Sequence, residues 1–287
     1  MIRPAYLTDK ALTTFIASAL TEDIGEGDHS SLAAIPAHAT NKAKLLVKAD
    51  GIIAGVELAE RIFRFYDPAL IINLQKRDGD TIKRGEIAFT VEGSSRSLLS
   101  TERLVLNCMQ RMSGIATYTH QLCEIIKGTS AQLMDTRKTT PNFRLPEKWA
   151  VLIGGGLNHR YALYDMIMLK DNHIDMAGGI EKAITNTKAY LINQNKKLKI
   201  EVETRTLKEV KEVLRVGGVD VIMLDNMSPQ LMREALAIIK GEYKTEASGG
   251  ITELTLRDVA ECGVDFISVG ALTHSVKSLD LSLKVFE

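Results

Sequence analysis

The chain has 287 residues, of which 45% are hydrophobic and 25% are charged, a composition typical of a globular protein with one large or two smaller domains. Its 36 basic and 36 acidic residues cancel, so bulk charge gives no reason to expect binding to nucleic acid or to a membrane surface. No apolar run approaches the roughly 20 residues that span a bilayer. Three widely spaced cysteines without a C-x-x-C pair favour reduced thiols. We therefore expect a cytoplasmic protein.

The first third of the chain mixes one helix with short β-rich segments. Residues 8–20 have the apolar spacing of an amphipathic helix, and glycines at 79 and 85 mark turns around a short strand. The predicted strands of this region are 43–47, 51–56, 70–74 and 87–91. A long helix follows over 100–126, which could break near Ser113-Gly114. This pattern predicts an N-terminal α+β sandwich domain over residues 1–115.

The rest of the chain alternates strands with helices. The later strands are predicted to end at 203, 225, 248 and 270, intervals of 22, 23 and 22 residues that match the period of a βα unit. Thr206-Leu207-Lys208-Glu209 is a capping box, and Ser228-Pro229 places a cap before a first-turn proline. Right-handed βα units build parallel sheets, so the sequence predicts an α/β fold with an incomplete, TIM-like parallel α/β barrel over 116–275. Residues 276–287 are expected to complete the N-terminal domain.

A local excess of positive charge lies between residues 136 and 170. This stretch holds six basic residues against two acidic ones, together with His159 and the run Gly154-Gly155-Gly156. Arginine binds carboxylate and phosphate bidentately, and glycines let backbone N–H groups approach an anion. A solvated basic loop would also account for the charges. However, Arg137 and Lys170 follow predicted strands, on the rim where α/β barrels place their ligands. The stretch is therefore a candidate anion site.

Acidic residues and glycines stand at the ends of the later strands. Glu203 and Asp225 could bind a divalent cation, ribose hydroxyls or a developing positive charge, or they could simply neutralise nearby lysines. Ser248-Gly249-Gly250 and Gly270-Ala271 occupy positions where many barrels bind phosphate, although they could equally be plain turns. His274 lies close to the same rim. The sequence contains no zinc, dinucleotide or P-loop motif.

Several motifs give the sequence a specific resemblance. They are Glu22-Asp23-Ile24-Gly25-Glu26-Gly27-Asp28, Glu102-Arg103, Ser113-Gly114-Ile115-Ala116-Thr117, Asp135-Thr136-Arg137-Lys138-Thr139-Thr140-Pro141, Gly154-Gly155-Gly156-Leu157-Asn158-His159-Arg160, Leu169-Lys170-Asp171-Asn172-His173-Ile174, Glu201-Val202-Glu203, Leu224-Asp225-Asn226, Ser248-Gly249-Gly250 and Val269-Gly270-Ala271-Leu272-Thr273-His274-Ser275. In this order and spacing they resemble the quinolinate phosphoribosyltransferases, across nearly the whole chain. Asn142-Phe143 departs from the Gly-Leu that is common in this family, a change that we expect to alter a loop rather than the reaction.

The resemblance implies a decarboxylating phosphoribosyl transfer. The ring nitrogen of pyridine-2,3-dicarboxylate (quinolinate) attacks the anomeric carbon of 5-phosphoribosyl 1-diphosphate (PRPP), diphosphate leaves, and the 2-carboxylate is lost as carbon dioxide. The product is nicotinate mononucleotide, which enters NAD synthesis. The resemblance further implies Mg²⁺ as cofactor. It also implies a homodimer, or a hexamer, in which Arg103 reaches into the site of the partner subunit.

Roles for single residues also follow from the resemblance. Quinolinate is expected to contact Arg103, Thr136, Arg137, His159, Arg160 and Lys170. The phosphates of PRPP are expected to contact Lys138, Ser248, Gly249, Gly250, Gly270, Ala271 and His274. Lys138, Glu203 and Asp225 are the implied catalytic residues. The lysine would neutralise the leaving diphosphate, while the two carboxylates would stabilise charge on the ribose and bind Mg²⁺ directly or indirectly.

Three other interpretations stay open at this point. A nicotinate phosphoribosyltransferase would share the fold, but a monocarboxylate substrate needs fewer cations than Arg137, His159, Arg160 and Lys170 provide. A Schiff-base lyase would use Lys170 as a nucleophile on a barrel strand. An anion-binding protein without catalytic activity could keep the same fold, although the retained rim carboxylates argue against it.

Overall fold

A computed structural model describes residues 3–286, which form two compact units. The first unit comprises residues 3–120, 139–155 and 271–286, and the second comprises 121–138 and 156–270. Each unit therefore draws on separated stretches of the sequence. Among the described residues, no helix combines the length and the apolar character that crossing a membrane requires.

Helices and strands alternate along most of the chain. The helices are α1 (Asp9–Ile24), α2 (His29–Ala34), α3 (Val56–Tyr66), α4 (Ser95–Ile125), α5 (Arg144–Ile153), α6 (Asp171–Ala177), α7 (Ile180–Asn193), α8 (Leu207–Val216), α9 (Pro229–Ile239), α10 (Glu253–Ala260) and α11 (Ala271–His274). The strands are β1 (Thr40–Val47), β2 (Gly51–Ile52), β3 (Ile71–Leu74), β4 (Thr81–Ile82), β5 (Ile87–Ser94), β6 (Gln132–Met134), β7 (Ile167–Leu169), β8 (Ile200–Thr204), β9 (Val221–Asp225), β10 (Lys244–Ser248), β11 (Phe266–Ser268) and β12 (Leu281–Phe286).

The first unit is built on an antiparallel sheet. Its strand order is β12-β1-β5-β3, and β2 pairs separately with β4. Residues 43, 45 and 47 of β1 are buried while their neighbours are partly exposed, so one face of the sheet packs against the core and the other meets solvent. This arrangement confirms the predicted α+β character of the N-terminal part.

Helix α3 replaces part of a predicted strand. The strand expected over 51–56 stops at Ile52, and a helix starts at Val56. The carboxylate of Asp78 accepts hydrogen bonds from the backbone N–H groups of Val56 and Glu57, at 2.8 and 3.1 Å, and so caps the first turn. Because the cap comes from a distant position in the sequence, local patterning gives no sign of this helix.

Helix α4 runs without interruption for 31 residues, so the break considered near Ser113-Gly114 is wrong. Gly114 serves packing instead: a Cβ atom there would collide with the backbone carbonyl of Lys277. The Ser113 hydroxyl donates to the carbonyl oxygen of Ala54 at 3.1 Å and accepts from its N–H at 2.9 Å. Both residues therefore let other segments of the first unit approach the helix closely.

The second unit contains a six-stranded parallel sheet in the order β6-β11-β10-β9-β8-β7. Strands β6 and β7 are the two edges of this order, which confirms the predicted parallel α/β architecture and leaves it open as an incomplete barrel would be. The helix starts predicted at Thr206 and Ser228 are confirmed, since the hydroxyl of each accepts a hydrogen bond from the first turn of its helix.

The two faces of this sheet differ in polarity. Residues two apart on a strand share a face, and the strand registers extend that face across the sheet. One face is apolar apart from two threonines and is formed by Leu133, Ile167, Leu169, Ile200, Val202, Thr204, Ile222, Leu224, Thr245, Ala247 and Ile267. The other face carries Met134, Met168, Glu201, Glu203, Met223, Asp225, Glu246, Ser248 and Ser268. Four carboxylates on one sheet face require cations, hydrogen-bond donors or protons as partners.

Candidate active site

Two arginines stand together at one end of the parallel sheet. Arg137 follows β6, and Arg160 follows the segment that bridges β6 through Met134 and Leu157. Burial, together with the nearby Arg137 guanidinium, lowers the pKa of Arg160. The Arg160 guanidinium also donates to the carbonyl oxygen of Met166 at 3.1 Å, which limits its movement. Two like charges held close together favour a ligand with more than one negative charge.

Buried carboxylates hold His159 beside these arginines. The ring Nε2 lies 2.7 Å from Oε2 of Glu201 and 3.6 Å from Oε2 of Glu246. The backbone N–H of His159 donates to Oδ1 of Asp135 at 2.9 Å, and the Asn158 side chain donates to Oδ2 at 2.6 Å. All three carboxylate residues are at most 1% exposed. The imidazole is therefore fixed from the interior of the second unit.

A second pair of carboxylates lies further along the polar sheet face. Glu203 is 9% exposed, and Nζ of Lys170 lies 3.9 Å from its Oε2. Burial, and then the neighbouring Asp225 carboxylate, raise the pKa of Glu203 to about 7, while Lys170 acts in the opposite direction. Ionising Glu203 is costly because the group is buried and a second carboxylate lies next to it. Added positive charge would lower that cost, so this pair is a candidate site for a cation.

Asn226 arranges the ends of β9 and β10. Its Nδ2 donates to Oδ2 of Asp225 at 2.7 Å, and its backbone N–H donates to the carbonyl oxygen of Ser248 at 2.8 Å. Its φ of 53° is left-handed, a conformation that asparagine tolerates. A Cβ atom on Gly249 would collide with the Asn226 side-chain amide, so the missing side chain allows this close approach. The pair fixes Asp225 next to the Ser248-Gly249-Gly250 segment.

Most of the residues singled out in the sequence fall in the second unit. Those at its strand ends or in the following loops are Thr136, Arg137, Lys138, His159, Arg160, Lys170, Glu203, Asp225, Ser248, Gly249, Gly250 and Gly270. Lys138 is exposed, and its backbone N–H donates to the Thr136 hydroxyl at 3.0 Å. Arg103, Ala271 and His274 belong to the first unit, where Arg103 is exposed on α4.

The glycine run that precedes His159 in the sequence has a different role from the one expected. The backbone N–H of Gly154 donates to the carbonyl oxygen of Ala150 at 3.0 Å, and that of Gly155 donates to Leu152 at 3.1 Å. These bonds close the C-terminal end of α5, so neither N–H group is offered to an anion. A Cβ on Gly154 would collide with Ala116, which explains glycine there by close packing.

Four residues of the site received no role from the sequence: Asp135, Asn158, Glu201 and Glu246. A signal was present for the last of these, since Glu246 lies inside a strand whose central residues are all buried. Buried parallel strands normally read as apolar runs, so an internal carboxylate indicates a specific partner. Asp135 and Asn158 act through the backbone and through each other, which a sequence pattern does not reveal.

Two family models cover almost the entire chain. The C-terminal domain of quinolinate phosphoribosyl transferase matches residues 115–284, and the N-terminal domain of the same family matches residues 28–113. The chain belongs to the quinolinate phosphoribosyltransferase family.

Named relatives and a solved structure agree with this membership. The chain is 45% identical to a chloroplastic nicotinate-nucleotide pyrophosphorylase (carboxylating) of Arabidopsis thaliana, over 99% of this chain and 85% of that protein. It is 42% identical to a probable nicotinate-nucleotide pyrophosphorylase (carboxylating) of Bacillus subtilis, over 92% of this chain and 90% of that protein. NadC from Streptococcus pyogenes superposes with a TM-score of 0.90 at 40% identity, covering 98% and 99% of the two chains.

The raised pKa of Glu203 predicts a pH-dependent gain in stability on removing its charge. The folded-state pKa of about 7 exceeds the ordinary 4.5, so folding favours the protonated form, and ionising the carboxyl above pH 7 costs stability. Replacing Glu203→Gln should therefore raise the free energy of unfolding by roughly 1–3 kcal/mol at pH 8.5, and much less at pH 5.

Urea denaturation at the two pH values measures this difference. Glu261→Gln, at a half-exposed carboxylate on the surface, is the matched control and should change stability by less than about 0.5 kcal/mol at either pH. A Glu203→Gln effect that is equal at both pH values would contradict the assigned cost of ionisation.

Proposed function

We propose that this chain transfers the phosphoribosyl group of PRPP to quinolinate with loss of carbon dioxide, giving nicotinate mononucleotide for NAD synthesis. The observation that carries the proposal is the close pairing of Arg137 and Arg160 beside His159. A dicarboxylate satisfies this concentration of donors. Both named relatives, and the family to which the chain belongs, point to the same reaction.

Quinolinate binding is assigned to the cationic end of the sheet. A guanidinium matches a carboxylate bidentately, so Arg137 and Arg160 suit the two adjacent carboxylates of the pyridine. His159, held by Glu201, and Lys170, beside Glu203, extend the donor surface. Thr136 is also assigned to this subsite. Fixing the dianion in one orientation aims its ring nitrogen at the anomeric carbon, so binding energy offsets part of the entropic cost of bringing the reactants together.

The reaction then needs charge stabilisation more than acid–base chemistry. As the ribose–diphosphate bond breaks, positive charge develops on the ribose ring, and the Glu203 and Asp225 carboxylates stabilise it. Lys138, which is exposed, neutralises the leaving diphosphate. Attack through nitrogen leaves a quaternary pyridinium. The electron pair released from the 2-carboxylate stays at the neighbouring carbon, stabilised by that positive nitrogen, until a proton arrives.

Mg²⁺ is the cofactor that we propose for this site. Glu203 and Asp225 lie close enough for the Asp225 carboxylate to raise the pKa of Glu203, and Mg²⁺ prefers such oxygen ligands. They would hold the ion directly or through water, and they would also bind ribose hydroxyls. When bound, Mg²⁺ supplies positive charge to the diphosphate oxygens.

Phosphate binding is assigned to the ends of β10 and β11. Ser248, Gly249, Gly250, Gly270, Ala271 and His274 are the proposed contacts. Gly249 and Gly250 have φ values of 94° and 62°, a backbone conformation that side chains disfavour and that can turn successive N–H groups towards one anion. Glycine thus serves both the close packing on Asn226 and the approach of a phosphate.

The Schiff-base alternative does not suit the surroundings of Lys170. A nucleophilic lysine is normally desolvated in an apolar pocket or placed beside another cation. The Lys170 side chain is instead 49% exposed and faces the Glu203 carboxylate. Its setting is that of a charged ligand contact.

Turnover by the purified chain tests the proposal. With quinolinate, PRPP and Mg²⁺, we expect loss of quinolinate and release of one carbon dioxide per nicotinate mononucleotide formed. Nicotinate in place of quinolinate is the control and should react at least tenfold more slowly. Lys138→Ala should lower kcat by about 100-fold or more, since it removes a cation from the leaving group. Equal turnover of nicotinate, or none of quinolinate, rejects the assignment.

The assembly and location are further parts of the proposal. We propose a homodimer, or a hexamer built from such dimers, in which Arg103 contacts the quinolinate bound by the partner subunit. The exposure of Arg103 on α4 supports this role. We also propose a cytoplasmic location, which three free cysteines suit.

Mixing two inactive variants tests the shared site. Arg103→Ala and Lys138→Ala should each be inactive alone, because each loses a cation from every site. A mixed dimer contains one site with both residues intact, so equal mixing under subunit-exchange conditions should restore up to about a quarter of the wild-type activity. Persistent inactivity, with exchange verified by differently tagged chains, would contradict the contribution of Arg103 in trans.

A further inference from the structure

Two buried acids meet on the polar sheet face next to His159. Glu201 on β8 and Glu246 on β10 are separated by β9, and they are 0% and 1% exposed. Within residues 3–286, Oε1 of each accepts no hydrogen bond. Burying two ionised carboxylates side by side carries a large cost in desolvation and repulsion. The pair therefore requires a shared proton or a cation between its oxygens.

A proton satisfies this requirement. Burial, and then the neighbouring Glu201 carboxylate, raise the pKa of Glu246 well above its ordinary value. The side chain of Ser268 and, more distantly, Asp135 also face Glu246. A protonated Glu246 is a hydrogen-bond donor to Glu201. That leaves the other oxygen of Glu201 as the acceptor for the imidazole Nε2 at 2.7 Å.

We propose that Glu201 and Glu246 are positioning residues for the phosphoribosyl transfer, holding the His159 ring by its Nε2 edge so that the ring meets the pyridine substrate in one orientation. This inference rests on the proposed function. Neither acid touches quinolinate: Glu201 acts through His159, and Glu246 acts through Glu201. The Asp135 carboxylate accepts a hydrogen bond from the backbone N–H of His159. The residue is therefore held both at its backbone and at the Nε2 edge of its ring.

A metal ion is the competing occupant of this cluster. Ligand atoms of His159, Glu201 and Glu246 all lie within 4.8 Å of one another. A metal would take the Nε2 lone pair and so exclude a proton from that nitrogen. The Nε2 to Oε2 separation of 2.7 Å is instead a hydrogen-bond length. The two occupants therefore make opposite predictions about the Nε2 proton.

Kinetics with four variants separate positioning from a structural role. Glu201→Ala should raise the KM for quinolinate at least tenfold while changing the KM for PRPP less than twofold. Glu201→Gln keeps an acceptor oxygen and should stay within about threefold of wild type. Glu246→Gln mimics the protonated acid and should also stay near wild type. Glu246→Leu removes the donor, at similar volume, and should raise the KM for quinolinate.

Thr245→Val is the matched control. Thr245 is buried on the same strand as Glu246, faces the other side of the sheet and bonds Asp265. This variant should lower thermal stability without moving the KM for quinolinate. Equal changes of both KM values in Glu201→Ala, or loss of stability alone, would show that Glu201 is merely structural. A Glu246→Gln variant as impaired as Glu246→Leu would overturn the assignment of a proton to Glu246.

Nitrogen-15 NMR of the histidine rings tests the same inference without turnover. It therefore tests the role of Glu201 and Glu246 even if the wild-type protein does not act on quinolinate. The wild-type chain should show a slowly exchanging Nε2–H signal, assigned by its loss in His159→Asn and broadened by exchange in Glu201→Ala. The signal should survive Glu246→Gln. Absence of an Nε2–H signal, together with a melting temperature that Zn²⁺ alone raises in wild type but not in Glu246→Gln, would establish a metal site and overturn the proposal.

Discussion

The hydrogen bond between His159 and Glu201 joins the two halves of the site, the cationic end of the sheet and its acidic interior. Arg137, Arg160 and His159 place hydrogen-bond donors and positive charge around one ligand position. Like charges repel each other, so this arrangement needs opposing charge nearby. The buried carboxylates provide the opposing charge, and their bonds to His159 hold one member of that group in place. Because burial raises the pKa of Glu246 well above its ordinary value, the acids oppose the cations less than fully ionised carboxylates would. The pocket can therefore remain attractive to a dianion.

The carboxylates at the strand ends, Glu203 and Asp225, form a second acidic pair, and ionising Glu203 is costly in the folded chain. The negative charge of Glu203 is unfavourable beside Asp225, and Asn226 holds Asp225 in that position. Positive charge placed beside Glu203, as on the proposed ribose cation or Mg²⁺, would offset this cost. The same chemistry that prepares the site therefore lowers the stability of the folded chain, a common trade-off in enzymes. The absent side chain of Gly249 is part of this arrangement, since it lets the Ser248-Gly249-Gly250 segment lie against Asn226.

Sequence patterns could predict features with local causes. The βα period, the caps at Thr206 and Ser228 and the polar strand ends all follow from residues near each other in the chain, and they led to the parallel sheet and its rim. Sequence patterns did not predict the features that depend on residues far apart in the chain. Helix α3 depends on a cap from Asp78, and Gly114 lies inside α4 because it accommodates a distant backbone.

The site divides in the same way. Arg137, Lys170, Glu203 and Asp225 could be identified at strand ends, and the family motifs supplied their expected roles. Glu246 was missed because its function depends on Glu201, which is two strands away, and on His159, which reaches both. The backbone N–H groups of Gly154 and Gly155 were expected to face an anion, yet they complete α5. The carboxylates are scattered in the sequence, and only the strand register shows that they share one face of the sheet.

Binding of the pyridine substrate to the free protein tests most directly whether the cationic cluster recognises two carboxylates. Calorimetric titration with quinolinate and with nicotinate, at equal salt, compares a dianion with a monoanion of the same ring. Losing one charge-assisted contact of about 1.5–3 kcal/mol predicts that nicotinate binds roughly tenfold to 100-fold more weakly. Arg160→Ala should reduce that difference. Equal affinity for the two pyridines would contradict a site built around a dicarboxylate.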